Sequence, residues 1–171
     1  MTMLSHKQLL LLAYGAASES PHPSTQVGAM LYYPRAFGGV PYPETMGNNH
    51  IPERLRVRDV GVWGDRESRT IYVEHAERAA IYSAARNGIC TDRLGMVATW
   101  AACEDCARAI ISAGITEVLT DARSLMRTPP EWIGTVSAGQ KMLEDAGVNV
   151  ILYESVFVLG EIRHGGKSFI P

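Results

Sequence analysis

The chain has 171 residues, 46% of them apolar and 20% charged, with a formal net charge of −2. That size and composition suit one globular domain with a sizeable core. They exclude a helical membrane span, because no run approaches about 18–20 consecutive apolar residues. They also exclude a strongly basic surface of the kind that neutralises many phosphates, so a small-molecule substrate is favoured over a long nucleic acid.

The first segment, MTMLSHKQLLLLAYGAASES, predicts a helix from Ser5 to about Ser18 with Ser5 as N-cap. Lys7 and the apolar run after it faintly resemble a secretory signal. The run is short for that purpose, and a cytoplasmic location is expected. QVGAMLYY (26–33) reads as a buried strand. Residues 34–70 read as an irregular insertion within one domain spanning 1–171, with a short strand possible only in VRDVGVWG. A loop of that length is usually functional.

A helix over 75–87 follows, lined with small residues and stopped by Gly88. GMVATWA (95–101) reads as a strand, CEDCARAIISAG (103–114) as a helix, and TEVLTD as the next strand. VSAGQKMLEDAG (136–147) reads as a helix and VNVILY as the last strand. The tail 155–171 carries Gly165, Gly166 and the basic Arg163, His164 and Lys167. It suits a lid over a phosphate or an arm onto a neighbour. Strands alternating with helices predict an α/β domain of three layers, with parallel strands in its later half.

The three cysteines are too few and too odd in number for a disulfide scaffold. Cys103 and Cys106 form a Cys-x-x-Cys pair, which in such a chain points to metal or redox chemistry in a reducing compartment. At i, i+3 both thiols share one helix face, at the positive end that favours thiolate. Cys90 reads as a free thiol.

His75 begins another predicted helix. Alone it reads as a surface histidine. The intervening helix and strand can bring the two helix starts together at one edge of a sheet, where ligands bind in open α/β folds. One His and two Cys leave a tetrahedral zinc with a fourth, open position, which is a catalytic arrangement. Glu77 is then free to move protons beside it.

These residues resemble a known family. HAE (75–77) and CEDC (103–106) are similar to the H-x-E…P-C-x-x-C signature of zinc-dependent deaminases. The nearest branch is the deoxycytidylate (dCMP) deaminases. SPHPSTQVGAM, GNNHIP, RTIYVEHAERAAIYSAARNG, CEDCARAIISAGITEVL and MLEDAGVNV all resemble stretches of that branch. The resemblance implies a three-layer α/β/α cytidine deaminase-like fold with a mixed central sheet of about five strands. It implies zinc held by His75, Cys103 and Cys106, with Glu77 as proton shuttle and Asn49 bonded to the sugar. It implies hydrolytic deamination of a cytosine nucleotide, dCMP to dUMP plus ammonia, by a homo-oligomer. Four positions depart from the pattern: Ala102 for Pro, Ala79 for Asn, His22 for Asp and Asn48 for Tyr.

Further substrate contacts are expected from Trp100 and Ala101, which lead into Cys103. A phosphate has candidates in Ser24, Thr25, His50, Arg54, Arg56 and Arg58. Arg78 can orient Glu77 or touch a neighbouring subunit. His6, His22 and His164 read as surface residues, with His22 as a further candidate for the nucleotide or a second metal. Other classes remain open at this stage. An editing deaminase of tRNA or DNA shares the zinc chemistry, as does a deaminase of a free nucleoside or base. A non-catalytic zinc-binding module has no use for Glu77.

Overall fold

Ser5 opens the first helix, α1 (His6–Ser18), by reciprocal capping with Gln8. The computed structural model describes residues 3–35, 38–58, 61–154 and 160–171. Helix α1 buries Leu9, Leu10, Ala13 and Tyr14 against the strand that follows, β1 (Gly28–Arg35). The approach is close. A Cβ on Gly28 would sit 2.1 Å from the Ala13 carbonyl oxygen, so only glycine lets the helix lie there.

Two antiparallel partners of β1 come next, β2 (Gly38–Pro41) and the two-residue β3 (Gly47–Asn48). Helices α2 (Arg66–Tyr72) and α3 (Ala76–Arg86) precede β4 (Gly95–Ala98), which also pairs antiparallel with β1. Then come α4 (Glu104–Ser112), β5 (Glu117–Asp121), α5 (Ala122–Met126), α6 (Pro130–Asp145) and β6 (Asn149–Tyr153). Strands β4, β5 and β6 are parallel. The sheet runs β2-β1-β4-β5-β6, with β3 beside β1.

Side-chain alternation builds the layers. Met30, Tyr32, Val97 and Leu119 face α1, and Ala29, Leu31, Met96, Ala98 and Val118 face the alanines of α3 with Ile110 of α4 and Leu143 of α6. The expected three-layer α/β/α arrangement with a mixed sheet is present.

Differences from the sequence expectation are local. The stretch 34–70 holds β2, β3, three short 3₁₀ turns and α2. VRDVGVWG carries no strand among its described residues. It contributes to the turns Glu53–Arg58 and Val62–Gly64, and its Asp59 and Val60 lie outside the described residues. Asp65 caps α2 through the Ser68 amide, a polar signal that an apolar-periodicity search passes over. Helix α6 starts earlier than expected because Pro130 suits a first helical position. In the tail, residues 155–159 lie outside the described set, and β7 (Ile162–His164) and β8 (Lys167–Phe169) form a hairpin.

Candidate metal centre and its cavity

Helices α3 and α4 each begin with a residue that does not cap. His75 and Cys103 hold the N-cap positions in extended conformation and make no side-chain capping bond. Ser5, Asp65 and Asp121 do cap their helices. The imidazole and thiol are thereby left to point outward, at the positive ends of both helices. His75 Nδ1 lies 3.5 Å from Cys103 Sγ and 3.4 Å from Cys106 Sγ. All three donor atoms fall within 4.8 Å of one another. A tetrahedral zinc with bonds of about 2.0–2.3 Å holds its ligand atoms about 3.6 Å apart, so this donor set fits that ion.

Electrostatics agree with the fit. Taken by themselves, the thiols share one proton. Their mutual hydrogen bond pulls Cys103 down and pushes Cys106 up. Burial draws the His75 imidazole down, but the Cys103 bond and the Glu77 charge outweigh it and leave it raised. A cation replaces such protons. Arg78 donates to Glu74 Oε1 at 2.5 Å and places Nη1 3.7 Å from Cys106 Sγ. It therefore faces a sulfur.

Glu77 sits in the first turn of α3, 4% exposed, and lines the same cavity as His75 and Cys103. Burial holds its carboxyl above the ordinary carboxylate range. The cavity has a volume of about 360 Å³. It opens at the carboxyl end of β4, whose chain continues through Trp100 and Ala101 into Cys103.

Most expected contacts meet there. Ser24, Thr25, Asn49, Trp100 and Ala101 all line the cavity. Asn49 is heavily committed to the scaffold. Its Oδ1 accepts from Ser20 Oγ and the Val27 amide, and its Nδ2 donates to the Thr25 carbonyl. One amide hydrogen remains for a ligand. Trp100 donates to Thr128 Oγ1 and is half-buried.

His22 lines the cavity, and its Nδ1 accepts from the amides of Ser24 and Thr25. A carboxylate would cap those amides in the same way, which accounts for the substitution at this position. Burial, with the charge of Arg69 next, lowers its pKa to about 4.

Other expectations fall elsewhere. His50 bonds the Asn48 carbonyl and lines a second recess together with Asn48 and Ala79. The departures at Ala79 and Asn48 therefore concern that recess. Arg54 is exposed, and the side chains of Arg56 and Arg58 lie outside the described residues. His164 is not a surface residue. It is 7% exposed, edge-on to Trp100 at 4.4 Å, with its pKa lowered to about 4 by burial and by Arg127. Cys90 is an exposed free thiol, as expected.

Two contributions carry no local signature in the sequence. Helix α2 brings Arg66 and Arg69, and α6 brings Glu131 and Trp132, whose ring is 5.8 Å from His75. The turn at Gly165 and Gly166, expected as a lid over a phosphate or an arm onto a neighbour, also lines the cavity. Gly165 donates to Thr25 Oγ1 and Gly166 to the Ser24 carbonyl, which seats the turn on the cavity wall.

A probable deoxycytidylate deaminase of Drosophila melanogaster is 28% identical over 137 residues, 78% of this chain. The match spans 64% of that relative's length. The dCMP deaminase of cyanophage S-TIM5 superposes with a TM-score of 0.59 at 18% identity, over 86% of this chain and 96% of that one. The Rib2 deaminase of Aspergillus oryzae gives 0.58 at 18% identity, over 88% and 85%. These likenesses establish the fold. Residues 3–122 match the cytidine and deoxycytidylate deaminase zinc-binding region, and that stretch contains His75, Cys103 and Cys106, the cluster able to hold a metal ion. With its His-Cys-Cys cluster at two helix starts, the chain belongs to the cytidine and deoxycytidylate deaminase zinc-binding family.

Proposed function

We propose that this protein deaminates a cytosine nucleotide hydrolytically, converting dCMP and water to dUMP and ammonia. One observation carries the reading. A single cavity joins a buried carboxylate beside a zinc-type donor set to two arginines. An uncharged nucleoside has no use for those arginines. A non-catalytic zinc module has no use for Glu77.

The roles divide as follows. His75, Cys103 and Cys106 would hold the zinc. When bound, zinc acts as a Lewis acid that brings the pKa of a water towards about 7. Glu77 takes one proton from the water and delivers it to ring N3. It then passes the second to the exocyclic amine as the C4–N bond breaks. The water oxygen remains as the C4 carbonyl, so atoms and charge balance. Burial raises the Glu77 pKa, which suits a group that both accepts and returns protons.

Trp100 and Trp132 meet edge-to-face, with centroids 6.1 Å apart, and wall the space for the base. The free hydrogen on Asn49 Nδ2 serves a sugar hydroxyl. Arg66 and Arg69 serve the phosphate, with Ser24 and Thr25 beside it. Exposed apolar side chains such as Ile71, Tyr82 and Met126 are consistent with a homo-oligomer.

Ammonia release from dCMP, dCTP, deoxycytidine and guanine tests the reading on zinc-loaded protein. dCMP is the expected best substrate. Glu77→Gln is expected to lower kcat/KM by about 10²–10⁴-fold with zinc content unchanged. Equal turnover by that variant removes Glu77 from the mechanism, and silence on every cytosine substrate removes the activity.

A further inference from the structure

The cavity lining carries an uneven charge. Among the described lining residues, Glu77 and Glu131 are the only carboxylates. Glu77 is buried beside the metal ligands. Glu131 lies at the open side, among the cations.

Helix α2 sets Arg66 and Arg69 three residues apart, which puts both on one helix face. Arg69 is anchored, because its Nη1 donates to the Trp63 carbonyl at 2.5 Å. Among the described residues, the Arg66 side chain bonds only to helix α6. Its Nη2 donates to Glu131 Oε1 at 3.0 Å. Glu131 stands in the first turn of α6. The pair thus ties the insertion to α6, and both partners line the cavity. Their side chains are 72% and 49% exposed.

We propose that Glu131 is an internal counter-ion, displaced from Arg66 by the substrate phosphate, and that this exchange sets the preference for a phosphorylated over an uncharged substrate. The proposal rests on the nucleotide deaminase reading above. The ion pair joins helices α2 and α6 beside the cavity. An exposed pair of this kind is weak and screened by salt. An arginine fork on a phosphate is bidentate and charge-assisted. The exchange therefore runs towards the phosphate. Release of Glu131 is cheap, because it remains hydrated and keeps the favourable field of the α6 N-terminus. While it holds Arg66, however, it competes with the ligand for the guanidinium. Glu131 is a specificity-determining residue, outside the chemistry of the ring.

A double-mutant cycle tests this. Zinc-loaded wild type, Glu131→Gln, Arg66→Gln and the double variant are titrated calorimetrically with inorganic phosphate and with dUMP at low salt. The ratio of kcat/KM for dCMP to that for deoxycytidine is measured on the same samples. Glu131→Gln is expected to tighten both anions about three-fold, as loss of a weak exposed competitor should. It should raise the dCMP preference by a similar factor. Arg66→Gln is expected to weaken both anions at least about ten-fold. The double variant should match Arg66→Gln, because Glu131 acts only through Arg66.

Weaker or unchanged anion binding in Glu131→Gln overturns the proposal. So does equal tightening when Arg66 is already gone. The two readings separate cleanly. Intact anion coupling without ammonia release from dCMP sinks the deaminase reading and leaves the counter-ion. Turnover of dCMP with a flat cycle sinks the counter-ion alone.

Discussion

His164 shows how a single residue can report on packing. Its two ring nitrogens are buried and have no hydrogen-bond partner among the described residues. A charged imidazole there is unfavourable, and Arg127 nearby adds repulsion. The folded pKa of about 4 lies below the ordinary 6.5. Between those values the unfolded chain binds a proton that the fold refuses. Stability therefore falls as pH drops from about 6.5 to about 4, by an amount of order 3 kcal/mol for this residue. His22 acts with the same sign. His164→Phe keeps an aromatic edge against Trp100 and removes the titration. Urea unfolding midpoints across this range should fall less steeply in the variant, and an identical slope would show that His164 does not titrate as described.

At the scale of elements, the metal loop depends on how closely α6 approaches it. A Cβ on Gly139 would lie 2.3 Å from the Ala102 carbonyl oxygen and 2.8 Å from the Cys103 carbonyl carbon. These are backbone atoms, so no side-chain rotation relieves the clash. The chain has Ala102 where proline would otherwise stiffen the turn, and α6 packing holds this stretch from behind. Gly139→Ala is expected to destabilise the fold by about 1–3 kcal/mol, the range for overpacking. It should also lower the zinc content of purified protein, because it moves the backbone that carries Cys103. Metal analysis and thermal melting read the two effects separately. Full zinc content with a lowered melting temperature would mean that α6 supports the core and not the site.

Helix α2 belongs to this scale as well. It is seven residues long, has no buried residue, and carries two cavity arginines. Its own packing is slight, and the Asp65 cap satisfies its first turn.

For the whole molecule, the metal is a fold-wide constraint. The donor set proposed to hold it comes from two helix starts on one side of the sheet. An ion that binds the folded state and not the unfolded chain adds stability by mass action, about 2.7 kcal/mol at a free concentration one hundred times Kd. Chelation of zinc should therefore lower the melting temperature, and re-addition should restore it. The shift should shrink at acid pH, because thiols and imidazole must lose protons to bind. A melting temperature indifferent to chelation would contradict zinc binding by the folded site. Among the described residues no helix is long and apolar enough to cross a membrane.

Much of this was legible in sequence order. The His-Ala-Glu and Cys-x-x-Cys stretches named the donor set, since residue type and helix-start position are local properties. Strand alternation and glycine stops gave the layers for the same reason. The expected phosphate contacts went partly astray. His50 is near Asn49 in sequence yet bonds the Asn48 carbonyl and faces another recess, because the chain turns between them. Arg66, Arg69, Glu131 and Trp132 carry no local signature that marks them as cavity residues.

The sequence by itself determined the donor set and the carboxylate beside it, because His75, Glu77, Cys103 and Cys106 lie within short motifs whose geometry the first helical turn enforces. The tertiary structure alone decided the walls and the opening. Arg66 meets Glu131 across 65 residues, and Gly165 meets Thr25 across 140. Such contacts depend on how helices and a hairpin close over the sheet edge, and no periodicity within a segment encodes that distance.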